Sequence, residues 1–208
     1  MEFLNNNPDC SEVVGVHRHS DYPLDYQLPA SIESCANSLY TQGSFQLIIN
    51  TIGVLHTSDW MPEKKLDDVN AEQLMELLKI NTIGPALTIR HFSKLLAPQN
   101  SIMVTLSAKV GSIEDNRLGG WYSYRASKAA LNMLIKTAAI ELARTKPNVA
   151  CIAMHPGTVN SKLSKPFRGE QIGRPANEAV SDMFRVIETL TKEDSGSFVS
   201  YSGEKLPW

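Results

Sequence analysis

Tyr124 and Lys128 stand four residues apart in a stretch of helical period, so a helix there places a phenol and an ammonium on one face. That face continues through Leu131 and Ile135 and therefore points inward. A phenol ordinarily keeps its proton to pH ~10. An ammonium ~5 Å away, at an effective dielectric near ~20, favours the phenolate by roughly 3 kcal/mol, about two pKa units. The positive end of the helix dipole acts in the same sense on a pair in the first turns. Such a pair offers general acid/base chemistry, the exchange of a proton with a substrate oxygen. The spacing recurs at Tyr201 and Lys205, but in a tail with Gly203 and Pro207 and no helical period, where the two side chains need not share a face.

The pair needs a helix and the helix needs something to pack on. Leu131, Ile135, Ala138 and Leu142 form an i, i+4, i+7, i+11 stripe, and Pro147 lies just beyond, so a helix is predicted over residues 121–144. Runs of β-favouring residues at 12–17, 45–50, 101–107, 149–155 and 197–201 alternate with helical segments at 31–42, 70–96 and from Pro175 to about residue 191. An irregularity is expected in the second of these helices near Gly84-Pro85. Several strands are apolar at consecutive positions, as strands buried on both faces are. The pattern predicts an α/β fold, a doubly wound parallel sheet with helical crossovers. No Gly-, Ser- or Pro-rich linker divides residues 1–208, which read as one domain.

Composition narrows the functional classes. With 42% apolar and 20% charged residues the chain can bury a globular core, which excludes fibrous and disordered readings. The longest apolar stretch, from Leu47 to Leu55, is broken by Asn50 and Thr51 and is far short of the ~20 residues that cross a bilayer. No membrane span is expected. The opening residues lack the basic start and apolar core of an export signal, so a cytoplasmic location is expected. The net charge of −2, without a run of Lys or Arg, argues against nucleic acid as a partner. Cys10, Cys35 and Cys151 form no Cys-x-x-Cys pair and read as idle thiols. His17 and His19 have no third ligand near in sequence, so no metal is expected. His56, His91 and His155 come without a Gly-x-Ser-x-Gly elbow and read as satisfied surface or core histidines.

The segment Gly119-Gly120-Trp121-Tyr122-Ser123-Tyr124-Arg125-Ala126-Ser127-Lys128-Ala129-Ala130-Leu131-Asn132 resembles the active-site helix of the short-chain dehydrogenase/reductase family, particularly its small carbonyl reductases and C-factor-type proteins. Asn50-Thr51-Ile52-Gly53 at a strand end, Asn81 in the next helix, a strand ending in Ser107, and Pro156-Gly157-Thr158-Val159-Asn160-Ser161 after a later strand extend the resemblance in order. It implies hydride transfer between a nicotinamide cofactor and a small carbonyl or alcohol substrate, with Tyr124 as proton donor. Lys128 would hold the nicotinamide ribose, and Asn81 would anchor a relay water. Asn50 and Gly53 would lie along the cofactor, with Pro156, Gly157, Val159 and Ser161 beside the nicotinamide. A homo-oligomer is also implied. Asn50 and Asn81 can equally bond neighbouring backbone.

Two features depart from the family pattern, and a third bears on the choice of cofactor. Ala108 occupies the place of the serine expected near the substrate oxygen, leaving Ser107 and Ser112 as neighbouring substitutes, of which Ser107 is the candidate. No Gly-x-x-x-Gly-x-Gly or Gly-x-Gly-x-x-Gly occurs among the twelve glycines. By the resemblance, the first strand and Gly-rich loop would precede residue 1, between the strands at 12–17 and 45–50. Losing that central strand is expected either to unsettle the fold or to leave a sheet unlike the family's. The third feature is Arg18, in His17-Arg18-His19 after the first predicted strand, where the family reads the adenosine ribose. A guanidinium there suits the 2′-phosphate of NADP better than NAD, the alternative being an exposed basic turn. Residues 160–173, with Lys162, Lys165, Arg168 and Gly169, read as a lid over the cofactor or as a solvated loop. The rival to an enzyme is a catalytically silent fragment or signalling protein that keeps the scaffold.

Overall fold

Consecutive apolar residues at Leu47-Ile48-Ile49, Ile102-Met103-Val104 and Val149 through Met154 leave no solvent-facing side and gather in the middle of the molecule. In the computed structural model, which describes all residues Met1–Trp208, they form strands β1 (Leu47–Asn50), β2 (Ser101–Leu106) and β3 (Val149–His155), with β4 at Phe198–Ser200. The four pair in parallel in the order β1-β2-β3-β4, with Ile49 opposite Val104 and Val104 opposite Ile152. The α-helices are α1 (Glu2–Asn5), α2 (Pro29–Leu39), α3 (Ala71–Leu78), α4 (Gly84–Phe92), α5 (Tyr122–Thr145), α6 (Gly169–Ile172) and α7 (Ala176–Ile187).

Alternate strand residues face opposite layers. Met103, Cys151 and Ala153 pack with Ile32 and Cys35 of α2, Ile89 and Phe92 of α4, and Leu131 and Ile135 of α5. Val104, Ile152 and Met154 pack on the other face with Ile187 of α7. Helices cover both faces, as expected of a doubly wound sheet.

The helix expected over 70–96 is divided into α3, a π-helical turn at Lys79–Ile83, α4 and a 3-10 turn at Ser93–Leu95. Pro85 has no N–H for the carbonyl of Asn81, so the ladder shifts, and Gly84 N–H reaches back to Lys79 instead. Gly84 has a packing reason as well: a Cβ there would lie 2.3 Å from the ring of Tyr26.

The strand expected at 12–17 does not form. Residues 12–16 make no backbone–backbone hydrogen bond, so they join no ladder. Val14 and Val16 instead rest their side chains on the core. β1 is therefore an edge strand, bordered by an apolar groove that includes Val14, Val16, Leu39, Ile48 and Phe92. No helix is long and apolar enough to cross a membrane.

Candidate active site

Parallel strands end on the same side of a sheet, and ligands in open α/β folds bind beyond those ends. Here the segments after β1, β2 and β3 surround a cleft of about 840 Å³, with α5 contributing Tyr124 and Lys128. Both side chains are buried, at 7% and 4% exposure. The Lys128 ammonium lies over the Tyr124 ring, 5.9 Å from its centroid, and donates to the Leu106 carbonyl at 3.0 Å. The helix thus brings together the two groups that spacing singled out, but not with the expected electrostatic result. Burial pushes the Tyr124 phenol up to about 12 and Lys128 down to about 8. Removal from water outweighs the neighbouring ammonium, so the acidic phenol expected from sequence is not found in the chain by itself. A phenol that keeps its proton through neutral pH is a proton donor, suited to an oxygen that gains negative charge.

Gly53, Ser107, Pro156, Gly157, Val159 and Ser161 also line the cleft. A Cβ on Gly53 would stand 3.4 Å from both Lys128 Nζ and Asn81 Oδ1, so bare backbone keeps the space beside the amine free. Gly157 has φ +74°, and a Cβ there would meet the Tyr201 ring at 2.7 Å. Ser107 is committed within the fold, its hydroxyl donating to Asn132 Oδ1 at 2.6 Å. Ala108 lines the cleft with no hydroxyl to offer, and Ser112 is outside it, donating to the Trp208 carbonyl at 3.1 Å.

The two asparagines serve as braces. Asn81 accepts from Val54 N–H at 2.8 Å and donates to the Val54 carbonyl at 2.7 Å and to Ser127 Oγ at 3.0 Å, tying the segment after β1 to α5. Both its amide hydrogens are used, while Oδ1, with one bond accepted, keeps a second lone pair for the expected relay water. Asn50 lies on the groove side of β1, not in the cleft, and donates to Tyr26 Oη at 2.7 Å while accepting from Ile52 N–H at 3.1 Å. Its side chain is thus engaged within the fold, between Tyr26 and the backbone after β1. Arg18 is exposed on a turn and is not among the residues of the cleft.

His155, read from sequence as satisfied, is not: its buried Nδ1 has no partner in the chain, and burial with the Lys109 charge lowers its titration to about 4. It presents a neutral imidazole to the cleft. The roof comes from residues 160–173, whose ends are tied by a bridge between Val159 and Arg174. Phe167 of this segment packs 5.0 Å from the Trp121 ring and 5.7 Å from the His56 ring. Trp208, by contrast, stacks on Phe198 in the core. Cys35 and Cys151 are buried and pushed up to about 11 and 12, as idle thiols would be.

Sequence reasoning missed Tyr26 and Glu63. The Tyr26 hydroxyl joins Thr88 to Asn50, and the Glu63 carboxylate accepts from Ser123 N–H, one residue before Tyr124. Neither partner spacing is periodic. One available signal was that α5 starts without a capping side chain of its own.

Residues 7–201 match the family model described as enoyl-(acyl carrier protein) reductase. The chain is 32% identical over 186 residues to 1-hydroxy-2-glutathionyl-2-methyl-3-butene dehydrogenase of Rhodococcus sp. (strain AD45), covering 89% of this chain and 78% of that protein. It is 32% identical over 170 residues to C-signal of Myxococcus xanthus, covering 80% of this chain and 94% of that protein. Among solved structures, the NADPH-bound carbonyl reductase from chicken fatty liver aligns with a TM-score of 0.76 at 27% identity, over 90% of this chain and 76% of that chain.

Proposed function

Because the chain belongs to the short-chain dehydrogenase/reductase family, a family of oxidoreductases, we propose that its cleft reduces a carbonyl compound with NADPH, Tyr124 delivering the proton to the substrate oxygen. The observation that carries this reading is the burial of Tyr124 beside Lys128 on the floor of the cleft. A bound nicotinamide cofactor would supply the hydride. The nicotinamide-ribose end suits the residues present: Gly53 leaves room beside the amine, His155 has an unpaired ring nitrogen, and Pro156 to Ser161 form one wall. Lys128, Gly53 and that wall would hold the ribose. The pyrophosphate end finds no Gly-rich turn among the twelve glycines. The preference for NADP is supported by the NADPH bound to the chicken-liver relative.

Lys128 orients and charges the pair, and the Leu106 carbonyl holds its ammonium in place. Tyr124 gives up its proton only as negative charge develops on the substrate oxygen, which its raised titration requires. Ser107 takes the substrate-binding serine's part by leaving Asn132, so Tyr124 has the larger share.

Titration of purified chain with NADPH, followed by fluorescence, is expected to saturate. Tyr124→Phe is expected to lose carbonyl turnover by at least about 100-fold with binding retained. A phenylalanine variant as active as wild type overturns the assignment. The absent phosphate cradle favours one second reading, a silent scaffold, for which titration shows no saturation.

A further inference from the structure

Helix α5 starts without a local cap. Trp121 precedes it with left-handed backbone, φ 54° and ψ 41°, and contributes no side-chain acceptor to its first N–H groups. The acceptor arrives from sixty residues away in the chain. The carboxylate of Glu63, itself only 2% exposed, takes Ser123 N–H at 3.2 and 3.3 Å and also the Ser123 hydroxyl. The Glu63 main-chain oxygen takes Trp121 N–H at 2.5 Å. The loop that holds Glu63 is fixed on both sides. Buried Gln73 of α3 donates to the Met61 carbonyl at 3.0 Å, and the Lys64 and Lys65 N–H groups donate to Asp68 at 3.1 and 3.2 Å. Ser123 is fully buried, and the residue after it is Tyr124.

Capping alone does not call for a charge. A neutral amide at position 63 could accept the same two bonds, and burying a carboxylate is costly unless its surroundings repay it. The positive end of α5, to which the carboxylate is bonded, does so, and the Lys128 ammonium stands five residues, about 7.5 Å of helix rise, farther along the same helix. The other charged or titratable groups around the cleft are Lys109, Asp115 and Arg117 after β2, His155 on β3, Arg125 on α5 and Lys162 on the roof. Lys109 pairs with Asp115 at 3.8 Å, and Arg125 is spent on the carbonyls of Gly119, Gly120 and Val110. Glu63 is the acidic group bonded directly to the turn that carries Tyr124.

We propose that Glu63 is a positioning residue, whose carboxylate sets the first turn of α5 so that Tyr124 enters the cleft and whose negative charge favours the ammonium of Lys128 along the same helix. The inference rests on the reading of Tyr124 as the proton donor.

The test uses the intact chain with ¹³C-labelled lysine side chains, the Lys128 signal being assigned by its loss in Lys128→Met. Glu63→Gln keeps the acceptor and removes the charge. It is expected to fold, to lower the Lys128 titration midpoint by about one pH unit, and to cut kcat about tenfold with KM unchanged. An unmoved midpoint and kcat, with only the melting temperature changed, overturns the proposal, since Glu63 would then be a structural cap. Should Glu63→Gln fail to fold, Glu63→Asp decides. It keeps the charge but shortens the reach, so the midpoint stays and kcat falls; a midpoint that drops with aspartate also overturns it. The NMR readout needs no turnover. A midpoint that moves in a chain inactive on every carbonyl tested keeps the charge link between Glu63 and Lys128 and refutes the oxidoreductase reading instead.

Discussion

Lys128 shows how one side chain can be favourable for chemistry and unfavourable for folding. Its ammonium titrates at about 8 in the fold against 10.5 in the open chain, because burial penalises the charge. Below pH 8 both states are protonated and the native state bears the whole penalty. Between about 8 and 10.5 the unfolded chain holds the extra proton, so stability rises with pH across that window. Lys128→Met is accordingly expected to melt above wild type at pH 7, with the gap closing towards pH 10. The gain of roughly 3 kcal/mol is reduced by about 1–3 kcal/mol for the Leu106 carbonyl left without its donor. Thermal melts of both proteins at the two pH values check this. The residue types and their helical spacing are legible in the amino-acid sequence. The direction of the shifts is not, because it depends on depth of burial, which no local spacing encodes.

Elements differ in how much of themselves lies in their own residues. β3 spans 149–155 as expected, and α5 is displaced by one residue at each end from the expected 121–144, since long apolar periodicity belongs to the segment itself. The stretch at 12–17 failed as a strand because a strand is a relation between two segments, and this one has no partner. The π-helical turn before Gly84 followed from Pro85, but the need for Gly84 came from Tyr26, far away in sequence. Gly84→Ala should force that ring aside at a cost of about 1–3 kcal/mol, read as a lower urea midpoint. The roof segment gives another prediction. Phe167→Ala removes the packing on Trp121 and His56, so KM should rise several-fold with little change in kcat, and indole fluorescence should shift to the red. Unchanged KM and emission would show that the segment does not cover the site.

Across the whole molecule, the cleft is better built than the sheet edge at β1. Tyr124 and Lys128 are buried, while β1 faces an apolar groove where a further strand would find both backbone partners and side chains. Arg18 lies on an exposed turn, away from the cleft residues. An exposed contact of this kind contributes up to about 1 kcal/mol, so Arg18→Asp should alter the NADPH-to-NADH preference by less than about fivefold. Parallel fluorescence titrations with the two cofactors measure it, and a larger swing would mean that the turn folds onto the adenosine ribose.

The amino-acid order by itself determined the alternation of strands and helices, the pairing of Tyr124 with Lys128 and the division of apolar residues between the two faces of a sheet. These depend on neighbours within a few residues, where chain geometry alone dictates which side chains meet. The tertiary structure decided the rest: that Asn50 turns to Tyr26, that Ser107 is held by Asn132, that His155 is left with a bare nitrogen, and that a carboxylate at position 63 caps the helix of Tyr124. Each depends on segments distant in the chain, and its energetics come from excluding water at a place that exists only once the sheet and its two helical layers have closed around it.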